Sequence, residues 1–426
     1  MSPMLLKSIL KPNRLPVPVD LRSVTTRDVA AEVDPESVDM TQAQVDKIWH
    51  SIERLYRTGL QPAISLTLRR KGRIVIRRSI GHAQLGDGRR PGLLCTNETP
   101  VCLFSASKAI TAMLVHKLVE QRQLGLDDRI ARFIPEYAAE GKGATTVRHL
   151  LAHRAGIPRV PEGATPEMLF DWDSVVARLC AAKPINADGN AQSYHAITGG
   201  FILGELAQRI SGAQLRDLLR DMIAEPMGLK SMSFGVPEQQ RAKVALNYCT
   251  GPRSWFPLTT YIHNVLGASF ERVTDVSNSA GFMSSVIPAG NIYATSDDAG
   301  AFYQMLLQRG EYKGRQIFKP ETVAEAIRPA GPIHIDRTLL LPVRFSAGFV
   351  LGEWPAGIYG RDCRSAFGHL GFLTTICWAD PARDISVGFV NSGKTLSVDQ
   401  LVPMGGVLGS ISGSCKPLAR ARRTVD

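Results

Sequence analysis

Strand-like segments lie near both ends of this 426-residue chain, and a long, mainly helical stretch separates them. Residues 63–68 and 73–80 are joined by Arg-Arg-Lys-Gly, which predicts a β-hairpin. Residues 345–351, 373–378 and 385–390 form a second strand-like group, and a Pro-containing turn joins the last two. Strands from both ends can share one sheet only if the segment between them leaves the sheet and returns.

The middle of the chain predicts an inserted helical domain. Apolar residues recur at helical spacing in these segments: 146–152, 174–181, 197–210 and 215–223. Outside the middle, helices are predicted at 45–58 and 297–308. The expected division is an N-terminal extension (1–40) lying on the surface or on a partner subunit, an α/β domain (41–126 and 281–426) and a helical domain (127–280).

A serine and a lysine begin one of the apolar helices. Ser105 and Lys108 are three residues apart, so they share a helix face. The apolar stripe behind them continues through Ile110, Met113 and Leu118. A serine one turn from a buried amine is a nucleophile beside its base.

The S-x-x-K pattern by itself also fits an ordinary helix start with Ser105 as the N-cap. A second match, Ser8 to Lys11, lies near the N-terminus, where Pro12 and Pro16 prevent a long helix. The apolar helix that follows Ser105 distinguishes the two matches.

Composition excludes several classes of protein. The net charge of +11 comes largely from the tip of the predicted hairpin and from the C-terminal tail, without interleaved aromatic residues, so nucleic-acid binding is not expected. No segment has the length and hydropathy of a membrane span or a signal peptide. Seven cysteines without C-x-x-C spacing are expected to be reduced, which favours a cytoplasmic protein, and the basic N-terminus leaves organelle targeting open.

Two sequence patterns resemble a nucleotide-binding loop and a metal site, but both are better explained by structural roles. Residues 388–395 match G-x-x-x-x-G-K-[ST] letter for letter, but they continue a predicted strand, so a phosphate loop is not expected there. His149 and His153 have a metal-compatible spacing, but the glutamate of H-E-x-x-H is absent and no third ligand is evident. We interpret both histidines as packing or capping residues and predict no metal site.

Three further segments carry candidate site residues. Tyr194-His195-Ala196 precedes an amphipathic helix, and Phe367-Gly368-His369-Leu370-Gly371-Phe372 precedes a predicted strand. An aromatic-rich stretch at about 250–275 contains Trp255 and Tyr261, which are candidates for walling a pocket. A surface loop packed on its own side chains is an equal interpretation of that stretch.

Taken in order, these motifs resemble the serine β-lactamase and penicillin-binding-protein superfamily, specifically the class C β-lactamase-like branch that includes the family VIII carboxylesterases. The resemblance covers roughly residues 45–400 and includes the segments 103–108, 147–158, 223–229 and 288–295. It implies a β-lactamase/transpeptidase-like fold, with an antiparallel sheet flanked by helices and an inserted helical domain.

The resemblance also implies roles for individual residues. Ser105 would be the nucleophile, Lys108 the amine that activates it and Tyr194 a proton relay to the leaving group. The backbone N–H groups of Ser105 and Phe372 would form the oxyanion hole. The third motif, usually K-T-G or H-T-G, is His369-Leu370-Gly371, and these residues would line the substrate site together with Trp255 and Tyr261.

Two departures from the family pattern bear on the substrate. Ala196 replaces the usual Asn, which removes an amide that would contact a β-lactam or peptide, and His369 replaces a permanently charged lysine. We therefore predict a cofactor-independent serine carboxylesterase acting on a small-molecule ester. The alternatives are a β-lactamase or amidase, an acyltransferase, and a non-catalytic binding protein; the oligomeric state, including a homodimer, is left open.

Overall fold

The computed structural model describes the chain except residues 1–12, 88–90, 161–162, 164, 187–188, 253–257 and 419–426. The second S-x-x-K match and Trp255 therefore lie outside the described residues. None of the helices in the described ranges is long and apolar enough to cross a membrane. The seven cysteines, all within the described ranges, form no disulfide bond with one another.

One antiparallel sheet contains strands from both ends of the chain, as predicted. Its strands are β1 (Thr25–Arg27), β2 (Ala63–Arg70), β3 (Arg73–Gln84), β4 (Leu93–Leu94), β5 (Val350–Leu351), β6 (Phe367–Gly371), β7 (Thr375–Asp380) and β8 (Ile385–Asn391). Their order is β1-β3-β2-β8-β7-β6-β5, with β4 paired to β3. The pairing of β2 with β8, in which Thr67 lies opposite Gly388, joins the two ends of the chain.

Helices cover both faces of this sheet. The α-helices of the described residues include α1 (Gln42–Tyr56), α2 (Ser107–Glu120), α3 (Val147–Leu151), α4 (Trp172–Ala181), α5 (Thr198–Ser211), α6 (Leu215–Leu219), α7 (Leu258–Leu266), α8 (Phe270–Val276), α9 (Ala280–Ser284), α10 (Ser296–Leu307), α11 (Pro320–Ile327) and α12 (Leu401–Ser414), besides the single turn Glu225–Met227. One face of the sheet packs on α1 and α12, and the other packs on α2 and α10. Alternation along β7 sends Ile376 and Trp378 into the core beneath α1 and α12. Its neighbours Cys377 and Ala379 enter the core shared with α2 and α10.

Short strands also pair outside this sheet. They are Val101–Cys102, Ser233–Phe234, Tyr248–Cys249, Ile292–Ala294, Glu311–Tyr312, Arg315–Gln316, His334–Ile335, Pro342–Val343, Ala356–Gly357, Gly360–Arg361 and Gly393–Lys394. Ser233–Phe234 pairs with Ile292–Ala294, and Tyr248–Cys249 pairs with Gly393–Lys394. The mainly helical middle segment therefore also supplies strands to the rest of the fold, while its status as a separate domain stays a prediction.

Part of the predicted surface extension, residues 1–40, is built into the sheet and the core. Thr25–Arg27 adds β1 to the edge of the sheet. Leu21, Val24 and Val38 are buried in the core beneath α1. These apolar side chains carry no clear periodicity in the sequence, which is why the pattern did not reveal their burial.

Two strand predictions fail where the backbone leaves the extended region. Of residues 345–351 only Val350–Leu351 is a strand, because Gly348 turns the chain with a φ of 124° and lies against Ala112 of α2. The strand predicted from 373 begins at Thr375, because Phe372 and Leu373 have φ values of 43° and 70°. The motif before it is itself the strand β6.

The P-loop-like segment is explained by packing, as expected. Gly388 lies within β8, where a Cβ atom would come 2.0 Å from the Ser296 carbonyl oxygen. A Cβ atom on Gly393 would likewise come 2.1 Å from the Leu60 carbonyl oxygen. Both glycines therefore permit close backbone contact.

We predict that Gly388→Ala lowers the free energy of unfolding by about 1–3 kcal/mol, because α10 would have to move away from β8. Gly405→Ala is the matched control: Gly405 is in α12 with nothing within 4 Å of an added Cβ, so it should raise stability by up to about 1 kcal/mol. Urea unfolding of both variants measures the difference. Equal stability of Gly388→Ala and the wild type would contradict the close contact.

Candidate active site

Ser105 lies in a single 3₁₀ turn (Phe104–Ala106) that leads directly into α2. The residue that caps α2 is Ala106, and no side-chain capping bond is made there, so Ser105 is not the N-cap. The predicted i, i+3 relation brings the Lys108 Nζ atom to 3.0 Å from Ser105 Oγ. The hydroxyl and the amine are therefore in direct hydrogen-bond contact.

The Lys108 amino group is buried among backbone carbonyls. Besides Ser105, it donates to the Ala196 carbonyl at 2.7 Å and to the Ala289 carbonyl at 3.1 Å. Only 9% of the residue is exposed, and this burial lowers the pKa of Lys108 to about 7. Near neutral pH a large fraction of Lys108 is therefore the neutral amine, which can accept a proton.

The ring of Tyr194 lies close to the Lys108 amine. Its ring centroid is 4.9 Å from Lys108 Nζ. Burial raises the pKa of Tyr194, and a hydrogen bond with Ser105 opposes the shift. The Tyr194 backbone N–H donates to Asp336 Oδ1 at 3.0 Å, and the same oxygen accepts from Thr338 and Leu339. Asp336 thus ties Tyr194 to the 336–339 segment.

Two histidines pack around Tyr194. The His153 ring centroid is 4.7 Å from that of Tyr194, and His153 Nδ1 accepts from the His195 backbone N–H at 3.2 Å. His195 Nε2 accepts from the Ile157 N–H at 3.1 Å. Burial lowers the pKa of His153 and brings that of His195 to about 3, so both rings are neutral.

His149 has a different role from His153, because it forms a capping box with Thr146 at the start of α3. Within the described residues, no group of three or more His, Cys, Asp or Glu side chains is arranged to hold a metal ion. His149 caps a helix and His153 packs on Tyr194, which are the kinds of role that the sequence indicated for them.

The third motif approaches Ser105 through a glycine. A Cβ atom on Gly371 would lie 1.9 Å from the Leu103 carbonyl oxygen, so only glycine lets β6 lie this close to the turn that carries Ser105. Phe372 follows, and its ring stacks on that of Phe104 at 4.9 Å. The Gly371 backbone therefore lies against Leu103 and Ala106, which stand on either side of Phe104 and Ser105.

His369 is 2% exposed, and its Nδ1 lies 2.8 Å from the Leu370 carbonyl oxygen. Its ring centroid is 6.3 Å from that of Tyr194. Burial, followed by the charge of Lys108, lowers the pKa of His369 to about 3. The position of the usual lysine is therefore occupied by a neutral ring.

Two further predicted residues, Leu370 and Tyr261, contact the surroundings of Tyr194. Leu370 packs on the apolar cluster that contains Tyr194 and Ala196. Tyr261 lies in α7 rather than in an irregular loop, and its hydroxyl donates to the Thr338 carbonyl at 2.7 Å. Tyr261 is therefore hydrogen-bonded to the 336–339 segment that holds Tyr194.

Sequence reasoning missed Asp336, the contact of His153 with Tyr194 and the carbonyl acceptors of Lys108. Asp336 stands 142 residues from Tyr194 and belongs to no motif. Ala289 lies in a segment singled out by the family resemblance, but a backbone acceptor has no residue-type signal.

The chain is similar to known proteins over most of its length. The family model described as Beta-lactamase matches residues 52–401. The esterase/beta-lactamase LipL of Mycobacterium tuberculosis is 28% identical over 336 residues, which cover 75% of this chain and 75% of that protein.

Two solved structures share the fold. A penicillin-binding-protein homologue from Caulobacter crescentus has a TM-score of 0.76 at 26% identity, covering 87% of this chain and 97% of that one. A family VIII carboxylesterase has a TM-score of 0.74 at 24% identity, covering 86% and 96%. The fold predicted from the sequence is confirmed, and since the family model spans more than half of the chain, the chain belongs to the beta-lactamase family, within the serine β-lactamase and penicillin-binding-protein superfamily.

Proposed function

We propose that this protein is a serine carboxylesterase that cleaves uncharged carboxylic esters through an acyl-enzyme on Ser105. The observation that carries the proposal is the buried Lys108 amine, 3.0 Å from Ser105 Oγ and with a pKa of about 7. An amine in this state accepts the proton of a serine hydroxyl near neutral pH, which makes the hydroxyl a nucleophile.

The proposed reaction has two halves. Ser105 Oγ attacks the ester carbonyl and its proton passes to Lys108, while the N–H groups of Ser105 and Phe372 hold the developing oxyanion. The carbon–oxygen bond to the alcohol then breaks, and the alcohol oxygen takes a proton from the Lys108 and Tyr194 pair. Water attacks the acyl-enzyme, gives a proton to the same pair and releases the acid, after which Ser105 regains its proton.

The neutral surroundings favour esters over β-lactams. His369 supplies no positive charge for a carboxylate, because its pKa is about 3. Ala196 contributes a carbonyl to Lys108 rather than a side-chain amide to the substrate. The relative LipL carries both activities in its name, so β-lactam hydrolysis is the second candidate.

Ser105→Ala should abolish hydrolysis of p-nitrophenyl esters and labelling by a fluorophosphonate, because it removes the serine hydroxyl that is hydrogen-bonded to the Lys108 amine. Ser8→Ala removes the serine of the other S-x-x-K match and is the matched control, with wild-type turnover expected. A panel of esters from C2 to C16 measures both variants. Turnover of Ser105→Ala above a few per cent of wild type would refute the assignment.

The pH profile tests the state of Lys108. The base must be unprotonated, so kcat/KM should rise tenfold per pH unit below about pH 7 and level off above it. A lysine at its ordinary pKa of 10.5 would place that rise more than three units higher. A kcat/KM that still climbs tenfold per unit between pH 8 and 10 would show that burial does not lower the pKa of Lys108.

Substrate choice tests the roles of His369 and Ala196. The wild type should hydrolyse p-nitrophenyl butyrate far faster than nitrocefin. His369→Lys combined with Ala196→Asn should raise the nitrocefin-to-ester ratio of kcat/KM by about tenfold, equivalent to about 1.4 kcal/mol of transition-state interaction. Nitrocefin hydrolysis by the wild type that matched its best ester would instead favour the β-lactamase candidate.

A further inference from the structure

Lys394 is another buried lysine, and the proposed reaction leaves it unused. It is the lysine of the P-loop-like segment and lies in the short strand Gly393–Lys394, which pairs with Tyr248–Cys249. Its exposed fraction is 0%. Burial lowers its pKa to about 7, and no salt bridge joins it to a described carboxyl group. A buried amine of this kind is costly unless its hydrogen bonds are satisfied.

The contacts of Lys394 lead to the loop that connects β6 and β7. Its Nζ donates to the Asn391 carbonyl at 2.8 Å and lies 3.4 Å from Thr374 Oγ1. Asn391 in turn donates from Nδ2 to the Thr374 carbonyl at 2.6 Å, and the Thr374 hydroxyl donates to Asn391 Oδ1. Lys394 and Asn391 together thus hold Thr374 in place.

Thr374 closes the turn that contains Phe372. Its N–H donates to the Gly371 carbonyl at 3.2 Å. Between these two residues, Phe372 and Leu373 both have positive φ values, 43° and 70°. Such conformations cost energy in residues other than glycine and persist only where neighbouring contacts fix them. The contacts around Thr374 supply that constraint from the β8 side.

A column of aromatic rings supplies the constraint from the other side. Lys394 Nζ lies 5.0 Å from the centroid of the Phe104 ring. Phe104 stacks on Phe372 at 4.9 Å, and Phe372 stacks on Phe270 of α8 at 4.6 Å. Phe104 also has a positive φ, 46°, and it immediately precedes Ser105. The column therefore contains Phe372, one proposed oxyanion donor, and Phe104, the residue that precedes the other donor, Ser105.

We propose that Lys394 is a positioning residue for the oxyanion hole, holding Thr374 and the underside of Phe104 so that the Phe372 and Ser105 N–H groups converge on one point. The inference rests on the proposed esterase function and deepens it. Oxyanion donors act through fixed geometry, and displacement of such groups by about 1 Å can lower a rate by about a hundredfold.

Lys394→Met removes the amine and keeps most of the side-chain volume. We expect kcat for p-nitrophenyl butyrate to fall by about tenfold to a hundredfold while KM stays within about twofold, because the oxyanion forms only after binding. The inhibition constant of phenylboronic acid, whose serine adduct is tetrahedral, should rise by a similar factor.

Lys142→Met is the matched control, because Lys142 is also a buried amine that donates to carbonyls. Its Nζ contacts the carbonyls of Ala139 and Cys180 at 2.9 Å and lies 5.4 Å from the Tyr137 ring centroid. This substitution should lower the melting temperature and leave kcat and boronate inhibition unchanged. Equal losses of kcat in the two variants would show that Lys394 acts through general stability.

Thr374→Val provides a second test if Lys394→Met does not fold. It removes only the hydroxyl that Lys394 and Asn391 share, and it should show the same selective loss of kcat and of boronate binding. Wild-type kcat in either folded variant would overturn the positioning role while Ser105 labelling upheld the esterase. A wild type that neither turned over esters nor took the fluorophosphonate would overturn the proposed function, and the positioning role with it.

Discussion

The burial of the Lys108 amine among backbone carbonyls is the constraint on which the site depends. A carboxylate partner would raise the pKa of a lysine, whereas uncharged acceptors satisfy its hydrogen bonds without holding the proton. The carbonyls must therefore be placed by packing. Gly200 lets α5 pack closely against Ala289, whose carbonyl accepts from Lys108, because a Cβ on Gly200 would lie 2.7 Å from the backbone nitrogen of Ala289. The reactivity proposed for Ser105 thus depends on how closely α5 approaches residue 289.

Two residues with strained backbone conformations lie next to Ser105 and to the third motif. Phe104 and Phe372 both have positive φ, and each is adjacent in sequence to a residue in the close contact between Gly371 and the 103–106 backbone. Their mutual stacking offsets part of the cost, since aromatic pairs in offset geometry add about 0.5–1.5 kcal/mol beyond buried area. Two strained residues that stabilise each other make a rigid support, which suits a group that must not relax when charge develops.

The sequence predicted those parts of the structure that repeat with a regular period. The hairpin of β2 and β3, the helix α2 with its Ser105–Lys108 contact, and the strand β8 all follow from alternation or helical spacing. The site also depends on single residues brought together from distant positions, and these have no local signal. Asp336 is 142 residues from Tyr194 in the sequence. Thr374, which bonds to Asn391, ends a turn in which Phe372 and Leu373 have φ values that are unusual for their residue types. Family resemblance located His369, but its neutrality follows only from burial.

Neutrality extends to most of the titratable groups around the nucleophile. His153, His195 and His369 are all kept uncharged by burial, and the pKa of Lys108 lies near 7 rather than 10.5. An anionic substrate entering such a site would lose water without gaining a permanent positive charge, which is costly. An uncharged ester loses far less, and its charge appears only in the transition state, where the oxyanion donors meet it. The same burial that makes Lys108 a base therefore also favours a substrate without charge.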